Sequence, residues 1–412
     1  MNAFRFLHAA DLHLGSPFVG LARANAEVAA VFANASRAAF SDLVDRAIEA
    51  SVAFAVIAGD VYDGEWKDAS IGLFFNRELG RLDRAGIPVF LLKGNHDADS
   101  VVTRSISLPG GVRQFPSRKP ETFRLDDLRV ALHGQSFAER SASDNLALSY
   151  PPAVAGWFNI GVLHTCCEGQ SAHARYAPCS IEDLRLRGYD YWALGHVHEH
   201  SVVSRDPWIV FPGNLQGRSV RECGPRGAVI VDVADGHVTN VERVFVDRAR
   251  WAQATVDLSG VDNESAAFHL IEEAVRPIAH EAEARVVALR LTLAGDTPLH
   301  AAFAAAPRRI AEEAQAAAQR VGADIWLEKL KLATTPPLRV ATGGLELKSF
   351  DLAALFDDLA ADPEIHLRAK ALAETIANRI PASAAVEDRA LADDVAALIA
   401  EARALALGRL GV

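Results

Sequence analysis

The stretch Pro88-Val89-Phe90-Leu91-Leu92-Lys93-Gly94-Asn95-His96-Asp97 decides how the rest of the chain is read. Its first five residues are an unbroken apolar run, the pattern of a buried strand. Asn95 and His96 then stand at the strand's carboxyl end, where open α/β sheets build their sites. Asn95 offers a neutral oxygen able to ligate a metal, and His96 offers an imidazole that exchanges protons near neutral pH.

Other apolar runs end the same way. Residues 4–10 deliver Asp11 and His13, and residues 52–58 deliver Asp60 through Gly59, which permits a tight exit from the strand. Residues 158–163 lead to His164, and residues 189–194 lead through Gly195 to His196 and His198. Between the first three runs, Ala39, Phe40, Leu43, Val44, Ala47 and Ile48 recur at helical spacing within residues 35–51, and a second helix is expected over 69–85. Strand and helix in alternation imply parallel strands with right-handed crossovers.

Asp11, His13, Asp60, Asn95, His164, His196 and His198 together offer two carboxylates, four imidazoles and one amide. Oxygen and nitrogen donors without thiolate suit Mn²⁺, Fe²⁺ or Zn²⁺ and disfavour a closed structural zinc site. They are too many for one ion and enough for two if one carboxylate bridges, the arrangement of two-metal phosphoryl hydrolysis. His164 taken alone reads as a hydrogen-bonded core histidine. Agreement among five segments is what points to a metal.

The order Asp-x-His, Gly-Asp-x-x-Asp, Gly-Asn-His-Asp, His-Thr and Gly-His-x-His, running from Asp11 to His198, resembles the calcineurin-like metallophosphoesterase superfamily. The resemblance implies an α/β fold, a four-layer α/β/β/α sandwich of two packed mixed sheets. It also implies one ion at Asp11, His13, Asp60 and His198 and another at Asp60, Asn95, His164 and His196, with Asp60 as the bridge. His96 would assist the leaving oxygen, and Asp97 would accept a hydrogen bond from His96. Protein phosphatases of this superfamily carry Arg-Gly after their Gly-Asp motif and Gly-Asn-His-Glu, and this chain has neither, which argues against a phosphoprotein substrate. Asp11-Leu12-His13-Leu14-Gly15, Gly59-Asp60-Val61-Tyr62-Asp63 and Phe211-Pro212-Gly213-Asn214-Leu215-Gln216-Gly217-Arg218 are similar to the SbcD-type DNA repair exonucleases, and Tyr176-Ala177-Pro178-Cys179 to their YhaO-type branch. That resemblance implies two divalent ions, Mn²⁺ first with Fe²⁺ or Zn²⁺ as alternatives, DNA as substrate, and an SMC-like coiled-coil ATPase subunit as partner.

Composition sets the outer limits. The chain has 412 residues, half of them apolar, and a formal net charge of −11, so contact with a polyanion needs a local cation, a metal or a partner's surface. No run approaches the roughly 18 apolar residues of a membrane span, and residues 1–5 lead straight into a strand, so a soluble, cytoplasmic protein is expected. Cys166, Cys167, Cys179 and Cys223 lack paired CxxC spacing and read as reduced thiols.

The expected domains are a nuclease-type domain over 1–250, a small α+β cap over 251–340, and a helical C-terminal segment over 341–412. From Lys348 onward there are 7 Lys and Arg against 11 Asp and Glu, a poor DNA-binding arm but a fit for docking a protein or packing on the cap. His173 either touches substrate or is a solvated loop histidine. Arg218 either meets a phosphate or forms a surface ion pair, and Asp63 either supports a ligand or only turns the chain. His8, His133, His200 and His237 read as structural or solvated. A small-molecule phosphodiesterase and a scaffold with a vestigial site are the rival readings, and a homodimer is left open.

Overall fold

A computed structural model of the chain describes residues 3–16, 26–63, 69–97, 107–139, 144–167, 178–337, 352–377 and 395–410. The alternating start is as expected: β1 (Phe4–Ala9), α1 (Ala26–Glu49), β2 (Phe54–Ala58), α2 (Ala69–Arg84) and β3 (Val89–Leu92). α1 begins earlier than its apolar stripe suggested, because Val28 and Phe32 continue the buried face by one turn each. β4 (Val112–Gln114) follows, and the four strands run parallel.

A second sheet holds β5 (Glu121–Leu125), β6 (Val130–Gly134), β7 (Phe158–His164), β8 (Tyr191–Gly195), β9 (Ser201–Arg205) and β10 (Trp208–Phe211), in the order β5-β6-β7-β8-β10-β9. A short helix, α3 (Ile181–Arg185), joins β7 to β8. The chain then returns to the first sheet as β11 (Gly227–Ala234), antiparallel to β1, and β12 (His237–Phe245), giving β12-β11-β1-β2-β3-β4. Both sheets are therefore mixed.

Alternation along the strands builds the layers. Ala55 and Ile57 face α1 and α2, where Phe40, Leu43, Phe75 and Leu79 are buried. Phe54, Val56 and Ala58 face the other sheet, against Val130, Leu132, Phe158 and Ile160. Between the sheets Phe6 stacks on Phe54 at 5.0 Å and meets Tyr191 edge-on at 5.2 Å. Trp192, Leu194, Ile209 and Phe211 cover the far face with Tyr150 and Leu184. The result is the four-layer sandwich, its fourth layer made, among the described residues, of α3 and a 3-10 turn, Leu146–Ser149.

By contact density the chain divides into residues 1–252 with 284–288, and residues 253–283 with 289–412. The second unit holds most of a three-stranded sheet in the order β13 (Ala249–Asp257), β14 (Val286–Asp296), β15 (Ile325–Thr335), with α4 (Glu264–Ala282), α5 (His300–Ala305) and α6 (Pro307–Val321). Pro307 opens α6, where its missing N–H is harmless in a first turn. Ala267, Ile271 and Val275 of α4 and Ile310, Ala314 and Ala317 of α6 are buried. α7 (Leu352–Ala361), α8 (Pro363–Ala377) and α9 (Val395–Leu410) follow, and α9 also packs on α5. Among the described residues no helix is long and apolar enough to cross a membrane.

Candidate metal centre

The carboxyl ends of β1, β2, β3, β7 and β8 meet, and they bring together all seven donors singled out by sequence. Backbone bonds hold the ends in place: Asp11 N–H donates to the Gly59 carbonyl at 3.0 Å, His13 N–H to Asp60 at 3.0 Å, and Leu14 N–H to Val61 at 2.8 Å. Asp11, His13, Asp60 and His196 all have positive φ, at 51°, 41°, 52° and 97°. Four non-glycine residues in this region mark a backbone held in strain by its surroundings, a feature concentrated at functional sites. Gly94 is required for closeness, since a Cβ there would collide with the Asp60 carboxylate and sit 2.8 Å from the Asp60 nitrogen.

Three groups of donors form among the described residues, one of them His13, Asp63 and His96, and the other two hold the sequence-predicted ligands. Asp11, His13 and His198 present ligand atoms within 4.8 Å of one another, as do Asp60, His164 and His196, and Asn95 joins the second set with Oδ1 3.0 Å from His164 Nε2. Asp11, His13, Asp60, Asn95, His164 and His196 are buried. Asp11 also accepts from the His196 backbone N–H at 3.0 Å, and Asp60 from that of His96 at 2.9 Å.

The ring nitrogens test whether a cation fits. His164 Nδ1 donates to the Ala58 carbonyl at 2.9 Å, which turns Nε2 towards Asn95 Oδ1 and towards Asp60 Oδ2 at 3.3 Å. An imidazole lone pair facing two oxygens needs a proton or a metal between them. Without metal the proton wins: burial opposes it, but the charge and hydrogen bond of Asp60 push His164 up to about 9. Asp60 in turn, although burial raises it, is drawn down to about 2 by His164. In the other set His13 Nε2 and His198 Nε2 lie 3.0 Å apart. His13 is held well below its usual pKa by burial first, then by Arg218, and its Nδ1 is buried without a hydrogen bond. Imidazole nitrogens and carboxylate oxygens converging in this way are the donor set of a borderline divalent ion.

The surrounding residues correct one expectation and bear on two alternatives left open by the sequence. Asp97 does not hold the His96 ring; it turns back into the loop and accepts from the backbone N–H groups of Val61 at 3.1 Å, Tyr62 at 3.0 Å and Gly94 at 3.1 Å. Burial, followed by the Asp60 charge, raises it to about 6. The His96 partner is Asp63, whose Oδ1 is 3.1 Å from His96 Nδ1, so Asp63 is more than a turn residue. Arg218 is a half-buried clamp, with Nη1 3.2 Å from Asp63 and Nη2 3.5 Å from Glu222. Glu222 was missed by sequence reasoning. Its Oε1 lies 2.7 Å from His198 Nδ1, and the only signal was its spacing of four from Arg218. His173 and Tyr176-Ala177 lie outside the described residues.

Residues 4–200 match the family model described as calcineurin-like phosphoesterase, and residues 251–335 the one described as metallophosphoesterase YhaO, middle domain. The uncharacterized metallophosphoesterase YhaO of Bacillus subtilis (strain 168) is 33% identical over 297 residues, 71% of this chain and 72% of that protein. The DNA double-strand break repair protein Mre11 of Methanopyrus kandleri is 27% identical over 295 residues, 62% of this chain and 60% of that protein. The SbcD component of the nuclease SbcCD of Escherichia coli (strain K12) is 23% identical over 282 residues, 59% of this chain and 68% of that protein. With its two mixed sheets and its converging donors, the chain belongs to the calcineurin-like metallophosphoesterases, a hydrolase family that binds divalent metals, and carries a YhaO-type middle domain.

Proposed function

We propose that the chain is a two-metal phosphodiesterase that cuts DNA as the nuclease subunit of a cytoplasmic assembly with an SMC-like ATPase. The observation that carries this reading is the meeting of two donor sets at the ends of five strands. One ion is assigned to Asp11, His13, Asp60 and His198, and the second to Asp60, Asn95, His164 and His196, with Mn²⁺ the expected metal. When bound, such a pair supplies Lewis acidity at a phosphoryl oxygen and lowers the pKa of water.

The chain's own residues supply the remaining chemistry. Asp63 Oδ1 lies 3.1 Å from His96 Nδ1 and pairs with the ring as an ion pair. The Asp63 carboxylate beside it raises the His96 pKa, which favours the protonated ring that can give its proton to the departing sugar oxygen. Arg218 is already paired with two carboxylates, so it braces this wall of the site rather than gripping the phosphate. Support for DNA comes from the relatives named for double-strand break repair and for SbcCD, and support for an ATPase partner from the leucines left exposed on α8, Leu367 and Leu372. Part of the C-terminal apolar surface is spent internally, where α9 covers α5.

The test is digestion of a linear duplex and of a small phosphodiester by the purified chain in Mn²⁺, beside an Asp60→Ala control. Cutting of both substrates, with a control at least 100-fold slower, is the expected result. If the ester is cut and DNA stays intact even with the ATPase added, the small-molecule reading replaces this one.

A further inference from the structure

Glu222 stands 24 residues beyond His198, yet its carboxylate closes on that ring from behind. Oε1 lies 2.7 Å from His198 Nδ1, while Oε2 accepts from Asn214 Nδ2 at 2.9 Å and from the Arg218 backbone N–H at 2.8 Å. These contacts fix a tautomer. A carboxylate only accepts, so the 2.7 Å contact requires Nδ1–H. The approach of Arg218 Nη2 to the same nitrogen, at 3.3 Å, is then a by-product of its pairing with Glu222 Oε1. His198 Nε2 is left with its lone pair towards His13 Nε2 at 3.0 Å and Asp11 Oδ1 at 3.9 Å.

We propose that Glu222 is a positioning residue that orients His198 and fixes its tautomer, and so sets the affinity of the Asp11–His13–His198 metal site, with Arg218 bracing it against Asp63. The inference rests on the two-metal reading above. It is confined to one ion, because Glu222 touches no ring of the other set, in which His164 is oriented by the Ala58 carbonyl. An orienting partner of this kind is typically worth about 10–100-fold in metal affinity.

Glu222→Gln separates orientation from scaffolding. Its amide oxygen can still accept from Asn214 and Arg218, so the fold is kept. Its amide N–H, facing His198 Nδ1, favours the opposite tautomer and places Nε2–H where the ion should bind.

The experiment is a calorimetric Mn²⁺ titration of the metal-free full chain, comparing wild type with Glu222→Gln and Glu222→Asp. The wild type should bind two ions. Glu222→Gln should weaken one of them about 10–100-fold and leave the other unchanged, and Glu222→Asp should restore part of the loss. Two sites of wild-type affinity in Glu222→Gln, or equal weakening of both, would overturn the proposal. A wild type that binds no ion pair would instead overturn the two-metal reading. Even then, ¹⁵N spectra of the His198 ring still decide the tautomer: Nδ1–H in the wild type and Nε2–H in Glu222→Gln is expected, and no change refutes it.

Discussion

At the residue scale, the division of labour between His96 and its neighbours is the sharpest consequence of the geometry. Its ring is about a quarter exposed and pairs with Asp63, while six of the seven donors are buried. His96→Asn should therefore leave metal content near that of the wild type and lower turnover of the small ester by about 10²–10⁴, the usual contribution of a proton donor. Elemental analysis and kcat measured on the same preparation check this, and unchanged kcat would remove His96 from the reaction. The seven donors were legible because each closes an apolar run within a short motif. Of their supports, the sequence raised only Asp63, as one of two readings. Asp97 follows His96 directly yet spends its oxygens on three backbone N–H groups, whereas Asp63 and Glu222 reach their rings only through tertiary folding.

At the scale of elements, the strands that carry donors were readable, and those that complete the sheets were not. β4 has three residues, and β5 and β9 are half-exposed edges with no unbroken apolar run. β1 shows how closely the two sheets are joined. His8 on β1 is wholly buried, with Nε2 3.1 Å from the Leu194 carbonyl and Nδ1 3.0 Å from the Tyr191 hydroxyl, so a neutral ring satisfies both contacts. Burial lowers its pKa to about 3, against 6.5 for an ordinary histidine. Between those values the unfolded chain binds the proton and the folded chain does not. Stability is thus complete above pH 6.5 and falls with decreasing pH, by about 1.4 kcal/mol per unit from this group. His8→Gln does not titrate. Urea unfolding at about pH 6 and about pH 5 should show the wild type losing roughly 1 kcal/mol more than the variant. Equal losses would mean that His8 is not held neutral between the sheets.

At the scale of the molecule, a net charge of −11 surrounds a site whose buried acids are flanked by four imidazoles and Arg218. A negative surface does not draw in a polyanion by long-range attraction, so DNA would be engaged at the metal centre or through a partner. Composition already indicated this constraint, and the motif order indicated the sandwich. What composition did not reveal is that α9 folds back on α5, because the apolar stripe of a helix does not name its partner. The most direct test of the central claim is anomalous diffraction from crystals grown with Mn²⁺. The account predicts two peaks, one among Asp11, His13 and His198 and one among Asp60, Asn95, His164 and His196, both within bonding distance of Asp60. A single peak, or a pair that Asp60 does not bridge, would contradict it.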